Sequence, residues 1–274
     1  MSSMEAIPST QDEIFAPPAP RGIAPVWHTA VLIAGLIVLS IAGAREMASA
    51  DAGAHTNRLG TYASTAVSQL FLLGWVWLGL RLRKIPLLSL LGDLSGGAKK
   101  FFLDAGIAVV FWFGSLMVLG TVGMTWMLID MARKHQSLFG QAGKHLPPDP
   151  AQQHLVHTLT ALAPSTGLEM LAWACMCVMA GFIEEMVFRG YFQRQFSAWG
   201  RGAIWAGVVG SAIMFGASHG YQGIRNMVLL TIFGALFSGL AVVRRNLRVG
   251  MMAHAWHDFF VGLLIAFAHA KHLL

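Results

Sequence analysis

Four stretches of this sequence run for a membrane-crossing length without one Asp, Glu, Lys or Arg: residues 26–44, 62–80, 105–129 and 226–243. A helix of roughly 20 mostly apolar residues crosses the hydrocarbon core of a bilayer. A fifth run, 202–220, is also free of those charges and ends in His219-Gly220. Two more, 167–192 and 249–270, are apolar but carry charged side chains. Charged residues make up only 12% of the chain, against about 25% in soluble domains. The fold class expected is therefore an all-α polytopic membrane protein, a bundle of about seven or eight transmembrane helices. The possible eighth comes from the loop 131–166, where Leu155, Val156, Leu159, Leu162 and Ala163 repeat at helical spacing, which fits a short helix at the membrane interface.

The ends and loops complete the layout. Residues 1–24 carry Pro8, Pro17, Pro18 and Pro20 among Glu5, Asp12 and Glu13, the composition of a disordered tail and not of a cleaved signal peptide. Residues 25–274 form the transmembrane domain. The net charge of +6 is carried largely by loops, so it implies no nucleic-acid partner. An N-terminus in the cytoplasm puts the larger share of loop Lys and Arg on that side, including Arg81, Arg83, Lys84, Lys99 and Lys100. The two cysteines, Cys175 and Cys177, sit inside an apolar run and exclude a disulfide framework. On the fifth span Ala203, Gly207 and Ser211, and Ala212, Gly216 and Gly220, are each four apart. Rows of small residues let helix backbones approach closely and place this helix in the centre of the bundle.

The charges inside apolar runs point to chemistry. Each carboxylate in mid-membrane costs roughly 2.5–3.5 kcal/mol on insertion scales, so intramembrane ionisable groups mark functional sites by default. In 167–192, Glu185 and Arg189 are four apart with the acid first, the favoured order for a helical ion pair. They are expected to form a structural pair. Glu184 points about 100° away and has no such partner on its own helix. His219 ends the fifth span. In the seventh, His254 and Asp258 share a helix face, so the carboxylate can fix the imidazole; His257 could compete for that role. His28 stands alone in the first span and is expected near the headgroups.

Glu184-Glu185-x-x-x-Arg189, Phe215-x-x-x-His219 and His254-x-x-x-Asp258 resemble, in order and on successive late helices, the three motifs of the CAAX protease and bacteriocin-processing (CPBP) family of intramembrane endopeptidases, which includes the type II CAAX prenyl endopeptidase. The resemblance covers about residues 167–270, the protease-like core. It implies peptide-bond hydrolysis by a glutamate-activated water, with Glu184 and His219 acting on the water and His254 and Asp258 at the oxyanion hole. The sequence departs from the eukaryotic pattern at position 258, where Asp replaces Asn. An ionised Asp cannot donate a hydrogen bond, so Asp258 is expected to hold His254 as the cation. The partners implied are the lipid bilayer and a peptide or prenylated protein substrate. No cofactor is implied, and no metal.

Two alternatives come from other classes. A zinc-dependent intramembrane metalloprotease would use the same residue types as ligands, which leaves bound zinc open, although the His-Glu-x-x-His pattern is absent. A non-catalytic scaffold or proton-coupled transporter could use Glu184 and His219 as a relay, but spans free of proline and of repeats count against transport. The span boundaries also carry a tension. Glu184 is deep, while His254 and His219 lie toward opposite ends, and a 19-residue helix is roughly 28 Å long. The site assembles only if the fifth helix is short, tilted or displaced.

Overall fold

The computed structural model describes residues 22–49, 57–133, 156 and 159–271. The proposed tail lies outside the described residues up to residue 21, and the interfacial segment is described only in part, with residues 159–162 helical. Among the described residues the long helices and one short one are α1 (Val26–Ser49), α2 (Arg58–Leu82), α3 (Gly97–Arg133), α4 (Gly167–Glu185), α5 (Gln193–Trp199), α6 (Ile204–Ser218), α7 (Ile224–Arg244) and α8 (Arg248–Ala270). A π-helical segment, Met186–Phe192, joins α4 to α5 without a break. Among the described residues six spans are long and apolar enough to cross a membrane, with Gly167–Trp199 counted as one. The chain is an integral multi-pass membrane protein of all-α fold.

The fifth run differs from its expected extent. It forms a helix of 15 residues, roughly 22 Å long at 1.5 Å per residue. Glycine at 202 takes φ +88°, so the helix starts only at Ile204. At the other end the chain turns at His219 into a short 3-10 segment, Gly220–Gln222, packed on α1 near Gly43 and Ser40. The short α6 removes the tension noted above, because its C-terminal end stops inside the bundle.

Small residues explain where α6 sits. The row of Gly207 and Ser211 faces the chain of α5 and the π-helical segment, where the Ser211 hydroxyl donates to Phe188 O at 2.6 Å. The row of Ala212 and Gly216 faces α7, so close that a Cβ at 216 would stand 2.6 Å from Met227 O. The π-helical segment, every residue of it buried, is the centre of the protein. Around it pack Val76, Leu80, Leu90, Phe215, Phe233 and Phe237. Outward faces carry exposed Val38, Val110, Trp205 and Val243, a surface suited to lipid tails.

His28 is not at the headgroups. It is fully buried and stacked on Trp75, with ring centroids 4.8 Å apart. Its Nε2 is 2.9 Å from Trp75 O and its Nδ1 3.0 Å from the Tyr191 hydroxyl. A carbonyl only accepts, so Nε2 carries the proton and Nδ1 accepts from Tyr191. Three polar groups, the imidazole, the carbonyl and the phenol, satisfy one another here and tie α1, α2 and the π-helical segment together.

Three loops that the charge count placed on one side meet at one end of the bundle. Asp104, fully buried, binds Arg244 at 2.5 Å and Arg248 at 3.1 Å. Arg194 donates to Ser89 O, Arg248 to Leu94 O, and Leu247 N to Leu91 O. The described non-glycine residues with positive φ are Lys84, Arg201 and Arg245, each just past the C-terminus of a helix that ends on this face. Cations there meet the negative end of the helix dipole.

Asp104→Ala is expected to destabilise the protein by about 1–3 kcal/mol, below the figure for a fully buried pair because both arginines keep contact with water. A thermal melt in detergent checks it; a melt superimposable on wild type would contradict the role given to Asp104.

Candidate active site

The site begins with how α4 is aimed. Thr166 caps its first turn and exchanges hydrogen bonds with Glu169 in a capping box. Three turns on, Gly181 lies against α8. A Cβ at this position would stand 2.8 Å from Ala255 N and 2.9 Å from Met251 O. Only glycine allows that approach, and it brings the acidic pair of α4 against His254 of α8.

Glu185 is buried and accepts from two side chains. Arg189 Nη1 lies 2.8 Å and His254 Nδ1 2.9 Å from Glu185 Oε1. Arg189 Nη2 reaches Gly234 O at 3.4 Å, and the guanidinium stands 4.5 Å over the Phe215 ring and 5.2 Å over Phe237. The aromatic faces stabilise a cation that is out of reach of water. The pair is therefore the one expected from spacing, with a third member from another helix.

His254 follows from this. Its Nδ1–H is committed to Glu185, which turns Nε2 toward Glu184 Oε2 and Asp258 Oδ2, each 3.8 Å away. Asp258 faces His254 at ion-pair distance, as its place one turn away led one to expect, but 3.8 Å is beyond hydrogen-bond range, and the carboxylate that orients the ring is Glu185. His257 does not compete. It turns toward α3, where Trp112 Nε1 donates to its Nδ1 at 3.3 Å.

Glu184 sits one residue earlier and faces elsewhere. Its Oε1 accepts from Gln69 Nε2 of α2 at 2.7 Å. Glu184 and Gln69 line a cavity of about 720 Å³ together with Ser218, His219 and Tyr221. Its other walls are mostly apolar residues of α1 and α2, among them Leu32, Leu36, Leu39, Val67, Phe71 and Leu72. His219 is held by its own helix end: Nδ1 lies 2.8 Å from Phe215 O and the ring packs 4.8 Å from the Phe215 ring. The carbonyl fixes the proton on Nδ1 and leaves Nε2 as an acceptor. Phe215 thus supports His219 on one side and Arg189 on another.

The structure brings Glu184, Glu185, Arg189 and His254 into one cluster and sets His219 in the cavity wall with Glu184. Asp258 stands at the edge of the cluster. Sequence spacing missed Gln69, because its contact with Glu184 joins helices 115 residues apart. The signal available was an amide in a span otherwise free of groups that size and polarity. Among the described residues, no three His, Cys, Asp or Glu side chains converge as a metal-binding set.

Residues 166–260 match the family described as Type II CAAX prenyl endopeptidase Rce1-like. The matched stretch is about a third of the chain and carries all three motifs. Glu184, Glu185, Arg189, His219, His254 and Asp258 all fall within the matched stretch, while Gln69 and the α1 and α2 walls of the cavity lie outside it. No curated protein and no solved structure matches the chain.

Arg189→Ala in this Rce1-like segment leaves Glu185 buried without its main cation, a loss of about 3–5 kcal/mol. Glu185→Gln keeps one acceptor oxygen and is expected to lose less. Melting of the two variants in one detergent tests the order; Arg189→Ala melting with wild type would contradict it.

Proposed function

We propose that the chain is an intramembrane endopeptidase of the CAAX prenyl protease type, which hydrolyses a peptide bond with water activated by Glu184. The observation that carries this reading is that Glu184 and His219, from separate helices, share the wall of one largely apolar cavity, with His254 behind Glu184. Pockets of roughly 300–1,000 Å³ hold drug-sized ligands, so this one has room for a short peptide segment. The family name supports a prenylated substrate, and the apolar walls from α1 and α2 suit a lipid chain.

In the reaction proposed, Glu184 takes a proton from water and the hydroxide attacks the scissile carbonyl carbon. The C–N bond then breaks, and the proton passes through His219 Nε2 to the leaving nitrogen. His254, its Nδ1 held by Glu185, offers Nε2–H to the oxygen on which negative charge develops. The ring is braced before substrate arrives, so little reorganisation is needed when that charge forms. Asp258, at 3.8 Å, supplies negative charge near the imidazole and no direct bond. No cofactor takes part in this scheme. The orientation proposed has the N-terminus in the cytoplasm, with the Asp104 end of the bundle on the same side.

The test is cleavage of a panel of farnesylated and unmodified peptides by purified protein in lipid. Glu184→Gln is expected to lose about 10²–10⁴-fold in turnover, and His254→Ala about 10²–10³-fold, both while inserting and melting normally. Activity is expected to survive exhaustive chelation. Near-normal turnover by Glu184→Gln would contradict the mechanism, and loss on chelation restored by zinc would replace it with a metalloprotease.

Asp258→Asn is expected to keep turnover within about tenfold of wild type, since no direct hydrogen bond is removed. A loss matching that of His254→Ala, measured on the same peptide, would put Asp258 in direct contact with the reacting atoms.

A further inference from the structure

Gln69 stands apart from the motifs. It lies on α2, about a hundred residues before the matched segment, yet its amide touches the carboxylate given the role of base. Nε2 donates to Glu184 Oε1 at 2.7 Å. The opposite assignment of the amide would set two acceptors face to face, so the carboxylate itself fixes which atom is nitrogen. That leaves Gln69 Oε1. It is buried and has no hydrogen-bond partner among the described residues. Gln69 lines the cavity, and its neighbour Ser68 spends its hydroxyl on Ser64 O. Buried acceptors are normally paired, so an orphaned one in a cavity wall marks where a donor from elsewhere belongs.

A peptide bound in an apolar cavity carries the donors that fit. Its backbone N–H groups lose water on binding and must find acceptors, as backbone groups in a membrane always must. We infer that Gln69 is a positioning residue that ties bound peptide to the base. Its NH2 fixes Glu184 with Oε2 turned toward His254, and its C=O accepts a backbone N–H of the peptide near the scissile bond. One amide plane then sets the distance between the peptide and Glu184. The inference rests on the endopeptidase reading above and adds to it a residue from outside the protease-like core.

The experiment uses the full chain in lipid with the peptide of the panel that wild type cleaves best, and a series of that peptide N-methylated at one backbone amide at a time. Wild type and Gln69→Leu are compared, with a detergent melt to confirm folding; if the Leu variant gives no cooperative melt, Gln69→Met takes its place. Removing the amide is expected to lower kcat by about 10- to 100-fold through misplacement of the base. Methylating the N–H that Gln69 accepts is expected to cost wild type about tenfold in kcat/KM. The same methylation is expected to cost Gln69→Leu less than about twofold, because the two changes remove one interaction. A role in folding alone would not produce that pattern. Normal kcat in Gln69→Leu, or equal methylation penalties in both proteins at every position, overturns the inference and leaves the endopeptidase reading standing. Wild type that cleaves no peptide overturns both.

Discussion

One carboxylate oxygen, Glu185 Oε1, holds two donors from two places in the chain, Arg189 at 2.8 Å and His254 at 2.9 Å. Neither group has bulk water to fall back on inside a membrane bundle, so each must be satisfied by the others. The constraint runs outward. It requires α4 and α8 to touch, which Gly181 permits. It requires aromatic faces around the guanidinium, which Phe215 and Phe237 supply from α6 and α7. Phe215 in turn carries His219 into the cavity wall. The position of each site residue therefore follows from satisfying one buried acid.

That arrangement frees Glu184. With Arg189 and the Nδ1 of His254 committed to Glu185, Glu184 meets, among the described residues, a neutral amide, Gln69, and the more distant Nε2 of His254. A carboxylate so placed, at the wall of an apolar cavity that His219 also lines, is suited to draw a proton from water. Two adjacent glutamates thus meet opposite surroundings, one paired with Arg189 and His254, the other in the cavity wall.

Much of the fold could be read from charge-free runs, because lipid forbids uncompensated charge and forces helices of a set length. Four of those runs became α1, α2, α3 and α7. The fifth misled, since absence of charge says nothing about where a helix stops; Gly202 and the turn at His219 shortened it. The Glu185–Arg189 contact was readable because both partners lie on one helix. The contacts of Glu184 with Gln69, of His254 with Glu185, and of His28 with Tyr191 were not, because each joins residues between 69 and 163 positions apart. Sequence periodicity reports which face a residue occupies, and only tertiary packing decides what that face meets. His254 shows the consequence: spacing offered Asp258, one turn away, and packing chose Glu185 of another helix.

The central claim is that Glu184 acts on water and not on the peptide itself. A single turnover with enzyme in excess, run in H₂¹⁸O and read by mass spectrometry of the new C-terminal carboxylate, tests it most directly. A glutamate acting as general base predicts one solvent oxygen in the product of the first turnover and no adduct on residue 184. First-turnover product carrying an unlabelled enzyme oxygen, or a trapped acyl group on Glu184, would contradict it.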